Sequence, residues 1–229
     1  MTELAAVSIV IPCHNEALAI GGVVRACHAA FSGRVHEVLV VDDGSTDGSA
    51  SVAEASGARV LRLPVNRGKG VALQAGVTGA IHPLLVFLDG DGQDDPAQAP
   101  RLVDLLEAGA DLAIGSRFLG TLHPGSITPV NRLANRAFTW LVALLFRQDV
   151  TDSQAGFRAV RRDGYLALNV EACEYDVETD MLLRALKSGW HVREIPVDRH
   201  PRHGSHTDFK RIRHGLLILW TIMKGRMTR

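Results

Sequence analysis

Short apolar runs alternate with amphipathic segments along the first half of the chain. The runs are rich in Val, Ile and Leu and cover residues 7–11, 37–41, 59–63 and 84–88. The segments between them have helical spacing and cover residues 17–31, 47–56 and 69–81. This alternation predicts an α/β fold with a mainly parallel sheet and helices on both faces.

The second half is predicted to add a helix over residues 96–108, a strand over 111–115 and a long helix over 131–146. The long helix has an apolar stripe at helical spacing, formed by Leu133, Ala137, Trp140, Leu141, Leu144 and Leu145. No linker-like segment divides these elements, so we predict one domain over residues 1–207.

The C-terminal segment, residues 208–229, is predicted to be an amphipathic helix. Its middle, residues 215–223, is apolar, and Lys and Arg lie on both flanks. Nine apolar residues are too few to cross a bilayer, which needs about 20. Two interpretations stay open: a peripheral anchor on a membrane surface, or a last helix packed on the core.

The composition limits the binding partners and the cellular compartment that we expect for this protein. The 229 residues include 25 Lys plus Arg and 25 Asp plus Glu, so no net charge favours nucleic acid. Basic residues dominate 199–229, which is typical of contact with phosphate or an anionic membrane. The three cysteines have no disulfide or CxxC spacing, and no signal peptide precedes the first strand. We therefore expect a cytoplasmic protein with peripheral membrane contact.

Polar clusters follow each of the first four predicted strands. They cover residues 12–16, 42–47, 66–70 and 89–95. Because ligands bind at the carboxyl ends of parallel strands, the clusters predict one shared site. The sequence has neither GxGxxG after the first strand nor GxxxxGK[ST], so the phosphates of a nucleotide need another source of positive charge.

The cluster after the fourth strand predicts a metal site. In an extended segment Asp89, Asp91 and Gln93 point to one side, and their oxygens suit Mg²⁺ or Mn²⁺. An acidic turn that only caps the next helix is the alternative. Asp94 and Asp95 are predicted to have that capping role.

Four segments carry a family resemblance: VSIVIPCHNE at 7–16, VDDGSTDG at 41–48, LDGDGQ at 88–93 and QAGFR at 154–158. They are similar to the family 2 glycosyltransferases, and within them to the dolichol-phosphate or polyprenyl-phosphate mannose and glucose synthases. The likeness covers residues 7–206 in the same order. It implies a GT-A (Rossmann-like) fold, a nucleotide-sugar donor, a Mg²⁺ or Mn²⁺ cofactor and inversion at the anomeric carbon.

The resemblance also implies roles for individual residues. The donor would contact Pro12, His14, Glu16, Asp43, Asp89, Arg202 and Ser205, and the turn at 66–70 adds Lys69. The metal would bind Asp89, Asp91 and Gln93 beneath the diphosphate, with Asp91 counted as catalytic. The acceptor phosphate would contact Arg117, with Arg132 and Arg136 as looser matches.

The acceptor decides whether a catalytic base is needed. A lipid phosphate carries about −1.5 to −2 charge at neutral pH and needs orientation rather than a base. A hydroxyl acceptor needs a carboxylate, and Asp180 fits the place where such relatives keep one, although an acid at a helix start is equally well explained by the helix dipole. The leading hypothesis is transfer of mannose from GDP-mannose, or next glucose from UDP-glucose, to a polyprenyl phosphate. Transfer to a saccharide or small-molecule hydroxyl and a non-catalytic nucleotide-sugar-binding module are the alternatives.

Overall fold

The computed structural model describes residues 5–202 and 211–227. Its strands are β1 (Val7–Cys13), β2 (His36–Asp43), β3 (Arg59–Leu63), β4 (Leu84–Phe87), β5 (Leu112–Ser116), β6 (Arg158–Arg161) and β7 (Val192–Pro196). Its helices are α1 (Ile20–Ala30), α2 (Ser49–Ala55), α3 (Lys69–Gly79), α4 (Ala99–Glu107), α5 (Pro129–Phe146), α6 (Arg162–Leu168), α7 (Val177–Lys187) and α8 (Arg211–Met227). A 3-10 turn, Pro96–Gln98, leads into α4.

The seven strands form one sheet in the order β3-β2-β1-β4-β6-β5-β7. Strand β6 is antiparallel to β4 and β5, and all other neighbouring strands are parallel. The predicted mainly parallel sheet is confirmed, with an antiparallel strand where the sequence pattern predicted none. Because β1 and β4 are neighbours, Pro12 at the end of β1 and Asp89 after β4 come to the same edge.

Two apolar layers cover the two faces of the sheet. Ile9 and Ile11 of β1 join the layer beneath α1 and α4, whereas Val10 between them joins the layer beneath α3, α5 and α7. None of the three has exposed surface. Full burial of such a side chain contributes about 1.5–3 kcal/mol, so the alternation of β1 fixes which residues face each layer.

Helix α5 begins two residues earlier than the hydrophobic pattern predicts. The Thr128 hydroxyl accepts the backbone N–H of Asn131, and Pro129 occupies the first helical position. Both features favour a helix start, because the hydroxyl pairs an otherwise unbonded N–H and proline has none to leave unpaired.

The last helix, α8, packs on the core with one side and is exposed on the other, while the interpretation as a membrane anchor stays a prediction. Ile218 and Ile222 of α8 are buried in the second apolar layer, whereas Leu216, Trp220 and Met223 on its other side are exposed. Helix α8 packs against α5 and α7. In the described ranges, no helix has both the length and the hydropathy that a membrane crossing requires.

Candidate active site

A cavity of about 720 Å³ lies at the carboxyl ends of β1, β2 and β4, where the polar clusters predicted a shared site. Its lining includes Pro12, His14, Glu16, Asp43, Lys69, Asp89, Asp91, Gln93, Arg117 and Arg202. The structure thus brings together residues predicted for donor, metal and acceptor. Ser205 lies outside the described residues.

Asp43 organises one end of the cavity. Its carboxylate accepts the backbone N–H groups of Arg67 and Gly68, each at 2.8 Å. The Nδ1 atom of His14 lies 2.9 Å from the backbone oxygen of Asp43. These contacts join the loops after β1, β2 and β3, so Asp43 acts here by holding the 66–70 turn in place.

Asp89 and Asp91 have different electrostatic surroundings. Asp89 Oδ1 lies 2.6 Å from Lys69 Nζ, and although burial opposes ionisation, this ammonium keeps the pKa of Asp89 below its ordinary value. Burial, with Asp89 and Asp94 close by, raises the pKa of Asp91. Negative charge is therefore costly at Asp91, and a bound cation would reduce that cost.

Arg199 is a basic partner of this acidic loop that the sequence pattern did not predict. Its Nη1 lies 2.5 Å from Asp94 Oδ1, and its Nη2 donates to Gln93 Oε1 at 3.0 Å. Asp94 is thus a buried ion-pair partner, and its predicted capping role is wrong. The capping role of Asp95 is confirmed, because its Oδ1 accepts the backbone N–H of Ala97 at 3.0 Å.

Gln93 ties three loops together. Its Nε2 donates to the backbone oxygens of Ser126 and His200, both at 3.0 Å, while its Oε1 faces Arg199. Reversing the amide would put its oxygen against two carbonyls and its N–H groups against a guanidinium, so the hydrogen bonds define its orientation. Gln93 therefore holds the segments after β5 and β7 against the acidic loop.

A divalent cation at the acidic loop would have two carboxylates available, and it would displace Arg199 to reach Gln93 Oε1. Asp89, Asp91 and Gln93 supply the ligand type that hard cations prefer, and Asp94 Oδ2 is buried without a hydrogen-bond partner. Among the residues that the structure describes, no three His, Cys, Asp or Glu side chains converge as a metal site on their own. Two carboxylates and an amide would leave coordination positions for phosphate oxygens, the arrangement usual for Mg²⁺.

Lys69 links the acidic loop to the start of α7. Its Nζ lies 2.6 Å from both Asp89 Oδ1 and Glu178 Oε1, and these carboxylates raise its pKa against the opposing effect of burial. Gly156 packs on this cluster, since a Cβ there would lie 3.0 Å from Lys69 Nζ. The glycine of the QAGFR segment therefore leaves room for the ammonium.

Glu16 and Arg202 join the loop after β1 to the segment after β7. Their side chains form an ion pair at the cavity. Burial, with Asp91 and Asp89 nearby, raises the pKa of Glu16 to about 7 despite this pairing. Arg202 is thus held at the cavity wall, where a guanidinium suits phosphate binding.

The predicted base, Asp180, is not in the cavity lining. Its carboxylate lies 2.7 Å from Arg184 Nε and accepts the backbone N–H groups of Glu171 and Ala172. The acid of α7 that lines the cavity is Glu178. Two residues along an α-helix are about 200° apart, so Glu178 and Asp180 cannot face the same site. The expectation that Asp180 faces the reacting atoms is therefore corrected.

The predicted phosphate contacts on α5 are also displaced from the cavity. Arg132 and Arg136 are exposed, and Arg136 lies over the Phe118 ring at 5.9 Å. The α5 residues that line the cavity are Val130, Asn131, Ala134, Asn135 and Phe138. Helical periodicity places the arginines beside this face rather than on it, which corrects their expected register.

The side of the cavity formed by α5 and α8 is mainly apolar, with the amides of Asn131 and Asn135 among its side chains. Val130, Ala134 and Phe138 of α5 and Ile218 of α8 line it, together with Ile127 before α5. Acidic and basic groups line the part of the cavity at the carboxyl ends of the strands. The cavity therefore offers one region for charged phosphates and another for hydrocarbon.

Comparison with known proteins places this site in a family. The sequence model of the family described as "Glycosyl transferase family 2" matches residues 8–167 of this chain. Glycosyltransferase AglJ of Haloferax volcanii is 34% identical over 226 residues, which cover 97% of this chain and 73% of AglJ. Polyprenol monophosphomannose synthase of Mycolicibacterium smegmatis is 32% identical over 209 residues, which cover 82% of this chain and 75% of that protein.

A solved structure shows the same architecture. Glucosyl-3-phosphoglycerate synthase from Mycobacterium tuberculosis, in complex with Mn²⁺, uridine diphosphate and phosphoglyceric acid, matches with a TM-score of 0.79 at 25% identity. The match covers 98% of this chain and 80% of that one. The predicted GT-A-type fold is confirmed, and the chain belongs to glycosyl transferase family 2 and is a glycosyltransferase.

Proposed function

We propose that this glycosyltransferase moves a hexose from a nucleoside-diphosphate sugar to the phosphate of a polyprenyl phosphate, with inversion at the anomeric carbon. GDP-mannose is the favoured donor and UDP-glucose the next. The observation that carries the proposal is the cavity itself, which combines a charged side containing Asp91, Lys69 and Arg117 with a mainly apolar side between α5 and α8. A relative named polyprenol monophosphomannose synthase supports the same acceptor class.

The charged residues suit an in-line transfer without a base. Arg117 orients the acceptor phosphate, one of whose oxygens forms a bond to C1 of the sugar while the bond from C1 to the diphosphate breaks. The phosphate is already anionic, so no side chain has to remove a proton. A divalent cation held by Asp89, Asp91 and Gln93 would stabilise the charge of the leaving nucleoside diphosphate. Lys69 and Arg202 line the same charged side and favour the same leaving group.

Exposed apolar side chains support contact with the membrane that carries such a lipid. Leu133, Trp140 and Leu144 lie on one stripe of α5, and Leu216 and Trp220 are exposed on α8. Trp140 and Trp220 are each 64% exposed. Arg132 and Arg136 flank the stripe of α5, a pattern typical of helices that lie on anionic bilayer surfaces. We infer that the enzyme is peripheral and that these helices touch the lipid.

A second function, transfer to a phosphorylated small-molecule hydroxyl, is favoured by one observation. The matching synthase was solved with phosphoglyceric acid, whose phosphate an arginine such as Arg117 also suits. A hydroxyl requires a base, and Glu178, the acid of α7 that lines the cavity, is already paired with Lys69. This pairing favours the lipid phosphate.

The test is transfer to farnesyl phosphate with Mn²⁺ and, in turn, GDP-mannose, UDP-glucose and UDP-N-acetylglucosamine. We expect a lipid-linked hexose with GDP-mannose or UDP-glucose, and a β-linked product from an α-linked donor in the NMR spectrum. Absence of a lipid product with every donor would overturn the proposal.

A further inference from the structure

The carboxylate of Asp152 binds one side of the Arg117 guanidinium. Its Nε and Nη2 atoms each lie 2.7 Å from an oxygen of Asp152, and its backbone N–H donates to the same carboxylate at 3.1 Å. A guanidinium has five N–H groups, so this bidentate pair leaves the end formed by Nη1 and Nη2 for a second anion. Arg117 lines the cavity, and Asp152 has no exposed surface.

Asp152 is in turn held by strand β7. Glu194 accepts the backbone N–H of Asp152 at 3.2 Å and the backbone N–H and hydroxyl of Thr151, both at 2.8 Å. The Thr151 hydroxyl also lies 2.6 Å from Ser116 Oγ, at the end of β5. Two neighbouring strands, β5 and β7, therefore hold Thr151 and the backbone of Asp152 in place.

We propose that Asp152 and Glu194 are positioning residues that aim the free end of the Arg117 guanidinium at the acceptor phosphate. The inference rests on the proposed role of Arg117 in the function above. Neither acid touches the substrate. Asp152 holds the fork in one plane, and Glu194 holds the segment that carries Asp152.

Positioning and simple charge balance predict opposite results. Removing the negative charge of Asp152 makes the surroundings of an anionic acceptor more positive, which by Coulomb's law alone would tighten binding. Loss of the bidentate pair frees the guanidinium to rotate, which weakens a geometry-dependent contact. Asp152→Asn separates these effects, because it keeps the side-chain shape and removes the charge.

The experiment measures acceptor binding by calorimetry, with farnesyl phosphate as the probe. We expect Asp152→Asn to weaken binding about tenfold while the affinity for GDP with Mn²⁺ changes less than about twofold. In an Arg117→Lys background the same change should add less than about twofold, since an ammonium has no fork to orient. Glu54→Gln, at the exposed Arg62–Glu54 pair, is the matched control.

Equal or tighter acceptor binding by Asp152→Asn would overturn the inference, as would losses that add in the double variant. If Asp152→Asn does not fold, Glu194→Gln provides the test, with an expected acceptor loss of about threefold and unchanged GDP binding. Unchanged acceptor binding by Glu194→Gln would then be the contradicting result.

A second probe separates this inference from the proposed function. If wild-type protein bound inorganic phosphate but not farnesyl phosphate, the lipid acceptor would be excluded. The ranking of the variants with inorganic phosphate, and the shift of the Arg117 Nε–H resonance in Asp152→Asn, would still decide the positioning role. An unshifted resonance would count against it.

Discussion

The proposed donor and acceptor regions of this cavity have different electrostatic surroundings. At the donor region, burial and neighbouring acids raise the pKa values of Asp91 and Glu16. At the acceptor region, Arg117 has a bidentate carboxylate partner whose backbone segment is held by two strands. The difference supports the proposal that an added cation completes the donor region, whereas the protein itself holds Arg117 in place at the acceptor region.

The largest expected effect comes from breaking the donor region. Asp91→Asn should lower kcat by about 10²–10³-fold, because the variant loses a metal ligand and with it stabilisation of the leaving diphosphate. Transfer kinetics and Mn²⁺ titration by calorimetry would both report the loss.

Asp95→Asn is the matched control four residues away. Its carboxylate caps the 3-10 turn and does not line the cavity, so the variant should keep kcat and lose at most about 1 kcal/mol of stability. Equal turnover in Asp91→Asn and Asp95→Asn, with Mn²⁺ present, would remove Asp91 from the metal site.

The next largest effect is expected on membrane binding by the exposed tryptophans of α5 and α8. Trp140→Ser with Trp220→Ser should weaken binding to anionic vesicles by about 1 kcal/mol per residue, or roughly 30-fold together, because less apolar surface leaves water. Vesicle sedimentation measures this change. Ile81→Ser, an exposed residue on the loop before β4, is the control and should bind like wild type. Equal binding of the double variant and wild type would argue against membrane docking by α5 and α8.

Substitutions of the two acids at the start of α7 help to distinguish a phosphate acceptor from a hydroxyl acceptor. Glu178→Gln should lower kcat/KM by about tenfold, because Lys69 loses one of its two carboxylate partners in a buried site. Asp180→Asn should change kcat/KM by less than about threefold, since its carboxylate faces Arg184. A severe loss in Asp180→Asn with unchanged stability would instead favour a hydroxyl acceptor and a reacting acid at that position.

The smallest effect concerns pH. Glu16 has a pKa of about 7 in the folded protein and an ordinary value of 4.5, so the unfolded chain releases this proton first as pH rises. The free energy of unfolding should therefore fall between these two values, by on the order of 1 kcal/mol once solvent screening is allowed for. Urea unfolding of metal-free protein at several pH values checks this. The decline should be weaker in Glu16→Gln, and identical pH profiles would contradict the cause assigned to Glu16.

The sequence predicted which residues line the proposed donor region better than which line the proposed acceptor region, for a physical reason. The loops after parallel strands meet at one edge, so Glu16, Asp43 and Asp91 could be placed together from local patterns. The partner of Asp94, by contrast, is Arg199, which lies 105 residues away on another loop. No local spacing encodes that pair.

The orientation of a helix about its own axis could not be predicted, and this limited the prediction of the acceptor residues. Arg132 and Asp180 lie on the predicted helices, but the face each helix turns to the cavity depends on how it packs in the fold. The sequence pattern left open whether the apolar stripes face the core or a membrane. In the structure, one side of α8 is buried in the core and the other side is exposed. Asp152 was not predicted because its proposed role depends on β7, a strand that the pattern did not identify.

Competition between two acceptors tests the central claim most directly. The enzyme would be incubated with Mn²⁺, GDP-mannose or UDP-glucose, and equal concentrations of farnesyl phosphate and 3-phosphoglycerate, and the glycosylated products measured by mass spectrometry. The apolar side of the cavity predicts that the hexosyl farnesyl phosphate exceeds the other product by at least about tenfold. Predominant glycosylation of 3-phosphoglycerate would contradict the proposed lipid acceptor.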